Sequence, residues 1–368
     1  MTVTGPPSDG HRVDQQPWAA LLDEGMVTLP EALASVDEAT RASGDRVLIL
    51  RVAGGLSLDV LLDRGLDIGA AWWNGIPLAW RSPNLVDPGP GRGWEDRFLG
   101  GLLATCGPDN IGPPRAGRGQ HGTHHLTRAH DVRWWREHTV DGVEVHVGGT
   151  VAGTQLNGRR VLVEREIVTG TGAPFVEVRD TVSNRSDQPV AIPLLYHVNV
   201  GAPMLRPGAR LQVDSDGHRL RHPCPAGREP LVVPAPEAGA EAVVAEHLGV
   251  RSDEGWARAV LDTSWADGRL VVEWNVAVLP RLFTWNWPAR GAWVLGVEPA
   301  NSPMFGPERK EPHGGAPLIG PGEEFRTVVR IGVQVPRGTA SRSLGSRDER
   351  RDPQRDAASS TNNTWDIR

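Results

Sequence analysis

The chain has 368 residues, 45 of them acidic and 39 basic, for a formal charge of −6. Apolar residues make up 39% and charged residues 23%, which describes a globular chain, excludes a disordered or fibrous one and, with no basic face, argues against nucleic acid as a partner. Cys106 and Cys224 are the only cysteines, too few for a disulfide framework or a thiolate zinc site.

The N-terminal 17 residues lack the apolar core of a signal peptide, and no stretch approaches a membrane span, so the expected compartment is the cytoplasm. They read as a flexible tail. The 44 glycines and 31 prolines cut the rest into short elements joined by turns, the mark of an all-β architecture. One helix is expected, over Glu31–Ser43, with Pro30 at its start and Gly44 as its stop. From Arg46 the pattern is β. VLILRV and LSLDVLL flank a Gly-Gly break as in a hairpin, and LDIGAAWW and IPLAW flank Asn74-Gly75. Residues 84–97 read as a loop. FLGGLLATCGPDNIG, VEVHVGGTV, RRVLVERE and PFVEVRDTVSN supply further strands.

IPLLYHVNVG, residues 192–201, is an apolar strand carrying His197. Period-two alternation puts Leu195, His197 and Asn199 on one face. Residues 201–250 are loop-rich. RLVVEWNVAV, RLFTWNW, AWVLGVEPAN and EEFRTVVRIGVQV complete the strands, and 337–368 lose their apolar residues and read as a disordered tail. With no fixed-period repeat, the simplest architecture is one large antiparallel β-sandwich over residues 18–336.

Three polar clusters beside apolar strands can carry chemistry. Gln120-His121-Gly122-Thr123-His124-His125 offers closely spaced imidazoles, as metal ligands or as a polar surface loop. His197 is either a catalytic imidazole or a core histidine bonded to backbone. Glu298 ends the buried run WVLGVEP, where desolvation would raise its pKa toward that of a working base unless an arginine pairs with it. Fourteen tryptophans mostly supply core volume, yet indole rings also suit stacking on sugar faces. No phosphate loop, nucleophile elbow or dinucleotide fingerprint is present.

The series LLDRGLDIGAAWWNGIPLAW, GLLATCGPDNIGPP with a following HG, LLYHVNVGAPML and GVEPAN resembles the uncharacterised aldose 1-epimerase-like proteins, relatives of the galactose mutarotases, over residues 45–335. The resemblance implies a galactose mutarotase-like β-supersandwich and ring opening of an aldose, with no metal and no cofactor. It assigns His197 as the acid at the ring oxygen, Glu298 as the base at the anomeric hydroxyl, and His121 of the HG motif as a group that binds and polarises the sugar. Arg64, Asn110, His125, Asn199 and Trp285 lie in or beside these motifs and are expected to line the site. The aspartate that holds sugar hydroxyls in mutarotases has no assigned counterpart. The expected ligand is a monosaccharide or sugar derivative. The alternatives are a carbohydrate-binding protein without turnover, and a metal-dependent isomerase or lyase built on the His121–His125 cluster.

Overall fold

The computed structural model describes residues 18–263 and 268–334, in which two antiparallel sheets face each other. The tails expected at 1–17 and 337–368 lie outside the described residues. In spatial order the larger sheet runs β1 (Ala34–Thr40), β2 (Arg46–Val52), β3 (Leu56–Leu61), β4 (Asp67–Trp73), β6 (Leu103–Cys106), β12 (Leu195–Val200), β19 (Val294–Ala300), β18 (Arg281–Trp287), β15 (Val243–Leu248) and β14 (Gly217–Leu220), with β5 (Ile76–Pro77) paired to β4. The second sheet runs β13 (Arg210–Val213), β16 (Trp256–Asp262), β17 (Arg269–Asn275), β21 (Glu324–Gln334), β10 (Phe175–Asn184), β9 (Arg160–Gly170), β8 (Gly142–Thr154) and β7 (His130–Thr139). A two-stranded ribbon joins β11 (Val190–Ala191) to β20 (Leu318–Ile319).

The core fills the space between the sheets. Leu48, Leu50, Leu58, Ile68, Tyr196 and Val297 of the larger sheet pack with Val145, Val163, Val178, Val272 and Ile331 of the second. Alternate residues along each strand supply these contacts, as a sheet with one face inward requires.

The expected helix over 31–43 is not formed. One 3₁₀ turn spans Pro30–Ala32, and Ala34–Thr40 is instead the edge strand β1, in register with β2 from Ala34↔Val52 to Thr40↔Arg46. The local preference of Glu, Ala and Asp for a helix is worth tenths of a kcal/mol per residue, and the ladder with β2 overrides it. Gly44, at φ +91°, closes the hairpin turn between these strands, a left-handed position that suits glycine.

A dry ionic network ties the sheets together. Arg165 of β9, its side chain fully buried, reaches Asp180 of β10 at 2.7 Å and Asp67 of β4 at 2.5 Å. It also donates to Thr105 Oγ1 of β6 at 2.9 Å and to the Gly65 carbonyl at 3.2 Å. The Tyr196 hydroxyl of β12 donates to Asp180 at 2.6 Å, and the Thr105 hydroxyl to Asp67 at 2.7 Å. The neighbouring guanidinium holds the Asp180 carboxyl below its ordinary range despite burial, which alone would raise it. Removing the cation would strand two buried carboxylates. Arg165→Met is therefore expected to cost about 3–5 kcal/mol of stability, read as a lowered urea midpoint. A loss under about 1 kcal/mol would show that the network does not tie the sheets.

Candidate active site

His197 and Glu298 meet through strand register. The pairings Leu195↔Ala300 and Val198↔Val297 put His197 of β12 directly opposite Glu298 of β19. Tyr196 and Val198 face the core, so alternation turns His197 and Asn199 to the outer face of the larger sheet, as the sequence indicated. His197 Nε2 lies 3.3 Å from Glu298 Oε1, and both side chains are only 2% exposed. The two atoms are within ion-pair distance but not aligned as a hydrogen bond, and Glu298 Oε1 and His197 Nδ1 have no hydrogen-bond partner.

The floor between them is a glycine. A Cβ on Gly296 would sit 2.6 Å from Glu298 Oε1, 3.1 Å from His197 Cε1 and 3.2 Å from Trp285 Cβ. Only a bare backbone leaves room for all three. Trp285 of β18 stands edge-on to His197 with ring centroids 5.6 Å apart. Phe98 and Trp94 cover the other side, stacked on each other at 4.3 Å, with Trp94 4.9 Å from His121 and Phe98 5.4 Å from His197. Trp94 belongs to the expected loop at 84–97, in the one-turn helix Trp94–Arg97, and Phe98 follows it at the start of the FLGG stretch.

The three histidines of HGTHH part ways. His121 has φ +58°, a left-handed backbone that costs a non-glycine residue about 1–2 kcal/mol. Its ring centroid is 5.6 Å from that of His197. The Gly112 N–H donates to its Nδ1 at 3.3 Å, so the neutral ring carries its proton on Nε2 and is a donor there. Gly122 follows at φ +71°, and a Cβ there would strike Asp109 Oδ1 and the Asn110 carbonyl at 2.6 Å. His124 turns away, its Nε2 3.0 Å from the Gly65 carbonyl, and serves the Arg165 network. His125 is buried below Phe98, and neither of its ring nitrogens has a protein partner. Among the described residues, no group of three or more histidine, cysteine or acidic side chains is placed to hold a metal.

The remaining expected residues are mostly engaged with the protein. Arg64 pairs with Asp87 at 3.2 Å and donates to the Arg97 carbonyl at 2.9 Å, which anchors the loop bearing Trp94 and Phe98. Asn110 donates to the carbonyls of Pro113 and Gly119 at 3.0 and 2.8 Å and shapes the turn under His121. Asn199 donates to the carbonyls of His197 and Gly101, and its Oδ1 has no partner. Gly296, Trp94 and Phe98 escaped the sequence reading. A glycine inside a strand does signal close approach, and the VLGVE pattern carried that signal.

A family model described as a domain of unknown function, DUF4432, matches residues 42–333. The chain belongs to the DUF4432 family. No curated protein matches it. Among solved structures, it is similar to a protein of Klebsiella pneumoniae subsp. pneumoniae provisionally named an aldose 1-epimerase, with a TM-score of 0.72 and 18% identity over 82% of this chain and 83% of that one. It is also similar to a galactose mutarotase-like protein of Clostridium acetobutylicum, with a TM-score of 0.59 and 15% identity over 83% and 100% of the two chains. An Escherichia coli K12 protein, again provisionally named an aldose 1-epimerase, gives 0.53 and 16% over 77% and 97%. At these identities the likeness is one of fold: this DUF4432 member has the galactose mutarotase-like sandwich.

Burial pushes the Glu298 carboxyl up to about 8 and the His197 imidazole down to about 4, because the site disfavours charge on either. The folded protein keeps a proton on Glu298 that the unfolded chain releases. That stabilisation is complete below pH 4.5 and is lost as pH rises through about 8, at up to about 1.4 kcal/mol per pH unit. The neutral His197 ring contributes stability that is full above pH 6.5 and is lost as pH falls through about 4. Melting temperatures from pH 4 to 9, each compared with wild type, should therefore show Glu298→Gln flattening the alkaline limb and His197→Asn the acid limb. Parallel curves for wild type and variants would contradict this. In the same site, Gly296→Ala is expected to leave the protein folded, by circular dichroism, while driving the Glu298 and His197 side chains apart. A crystal structure of that variant with the two side chains unmoved would refute the steric argument.

Proposed function

We propose that this DUF4432 protein interconverts the anomers of an aldose by general acid–base ring opening. The observation that carries the proposal is the single pair His197–Glu298: 3.3 Å apart, buried and unbalanced by any other charge, on a face lined by Trp94, Phe98 and Trp285. A perturbed carboxyl beside a perturbed imidazole is what proton transfer near neutral pH needs. The fold supports the reading, because the similar structures carry aldose 1-epimerase and mutarotase names.

Protons balance within the pair. Glu298–H beside neutral His197, and the Glu298 carboxylate beside imidazolium, hold the same number. Burial favours the neutral arrangement in the free site. When a closed sugar binds, its hydroxyls solvate the charged arrangement. Glu298 then takes the proton of the anomeric hydroxyl, the C1–O5 bond breaks as the C1–O1 bond becomes a carbonyl, and His197 protonates O5. The pair is now neutral, matched to the open aldehyde. Rotation about C1–C2 presents the other face, His197 withdraws the proton from O5, O5 attacks C1, and Glu298 returns its proton to O1. His121 Nε2–H is a donor for a sugar oxygen, and the indole and phenyl rings pack the apolar sugar face.

Glu298→Gln keeps shape and hydrogen-bonding capacity but cannot take a proton. Anomer exchange, followed by NMR on freshly dissolved sugars, is expected to slow by about 10²–10⁴-fold, with affinity changed far less. His197→Asn should act alike, and the double variant should lose little more than either single one, since both groups serve one event. Unchanged exchange with weakened binding would reduce Glu298 to a ligand contact. A wild type that binds sugars without exchanging anomers would make the protein a carbohydrate-binding module.

A further inference from the structure

The turn Asn110–Pro113 joins two groups of different chemistry. On one side it positions His121, whose N–H donates to the Gly112 carbonyl at 2.9 Å and whose ring accepts from the Gly112 N–H. On the other it receives Arg309, whose Nη2 donates to Asn110 Oδ1 at 2.6 Å and to the Ile111 carbonyl at 2.7 Å. Arg309 comes from the 3₁₀ turn Glu308–Lys310 that follows the strand carrying Glu298. Arg115, at the other end of the same loop, donates to the Glu311 carbonyl at 3.0 Å. The two guanidinium groups meet over Gly314. Arg309 Nη1 and Arg115 Cζ lie 3.1 and 3.2 Å from the point a Gly314 Cβ would occupy.

A third cation stands on the same side. Arg221 follows β14 and donates its N–H to the Val244 carbonyl at 2.9 Å. Val244 pairs with Trp285, and Trp285 with Gly296, so Arg221 ends the cross-strand row that passes beneath the His197–Glu298 pair. Burial, then the imidazoles of His197 and His125, and after them the charges of Arg221 and Arg309 lower the pKa of His121.

Among the described residues, none of these three arginines is matched by a carboxylate. Of the acids nearby, Glu246 pairs with Arg219 and Arg281, Glu308 with Arg219, and Asp109 with the Thr123 N–H and, at 3.9 Å, Arg159, while the carboxylate of Glu311, whose carbonyl Arg115 bonds, is exposed to solvent. Arg309 is partly buried, and desolvation followed by the charge of Arg115 lowers its pKa. Two adjoining guanidinium groups with no counter-charge are unfavourable alone and favourable around an anion, for which their planar donors are shaped.

Building on the acid–base reading of the site, we propose that the aldose carries an anionic group, a carboxylate or a phosphate, remote from its anomeric carbon, and that Arg309, Arg115 and Arg221 bind it beside His121. The test compares glucose, galactose and mannose, each as the neutral sugar, the uronate and the 6-phosphate. NMR anomer exchange gives kcat/KM, and calorimetry with inorganic phosphate reads binding apart from turnover.

At least one anionic series is expected to exceed its neutral partner by roughly tenfold or more. That ratio should fall by a similar factor in Arg115→Gln and in Arg221→Gln, as for loss of a charged hydrogen bond. It should also fall in wild type as salt is raised. The uronate and phosphate arms identify which anion is used. Neutral sugars exchanged as well as both anionic series would overturn the anion site and leave the acid–base reading standing. So would a preference that survives both variants. Phosphate binding that depends on Arg115, with no aldose exchanged, would do the reverse. Neither exchange nor phosphate binding would overturn both.

Discussion

Arg165 is the constraint on which the rest of the structure depends. One guanidinium, fully out of water, faces two carboxylates from different sheets. An exposed ion pair would be worth under about 1 kcal/mol. Here no solvent competes, and the partners of the cation come from three separate parts of the chain, Gly65–Asp67, Thr105 and Asp180. Asp67 and Thr105 belong to the larger sheet, Asp180 to the second, and Gly65 to the turn that His124 also grips. Tyr196, which donates to Asp180, immediately precedes His197. β12, which carries His197, is thus clamped from its core face, and the candidate site occupies its other face.

That outer face shows how position decides chemistry. The row His197, Glu298, Phe283, Glu246 and Arg219 runs across four strand pairings. Glu246 and Glu298 are equally buried, each 1% exposed. Glu246 has Arg219 and Arg281 for partners. Glu298 has only a neighbouring imidazole, itself pushed toward neutrality. Two carboxylates in equivalent sheet positions therefore divide into one that fastens structure and one whose proton can move.

The fold was largely legible because period-two alternation and glycine-marked turns are local signals, and the VLILRV and LSLDVLL hairpin formed where they pointed. Ala34–Thr40 was not, because its strand identity comes from β2 rather than from its own residues. His197 and Glu298 were legible as polar groups on apolar strands. Arg165 was hidden among the charges of RRVLVERE, although it shares the period-two phase of Val161, Val163 and Ile167 while Arg160, Glu164 and Glu166 fall on the other face. Only its partners Asp67 and Asp180 account for a cation on that inward face. The HGTHH cluster told that histidines mattered but not how they divide, since a loop has no fixed period to assign faces.

The unsatisfied polar atoms supply the last step. Glu298 Oε1, His197 Nδ1, Asn199 Oδ1, Trp94 Nε1 and both nitrogens of His125 lack hydrogen-bond partners in the protein. An unpaired buried polar group costs roughly 1–3 kcal/mol, against a net stability of about 5–15 kcal/mol for a whole domain. Other buried atoms without partners are spread through the described residues, among them Trp73 Nε1, Arg258 Nε and both nitrogens of His247, but six gather around the one pair His197–Glu298. β12 lends Tyr196 to the network around Arg165 on its core face, and on its other face presents His197 Nδ1 and Asn199 Oδ1 without partners. The over-determined core is what permits an under-satisfied face. The polyhydroxylated ring of the proposed aldose would bring donors and acceptors to these atoms in one rigid unit.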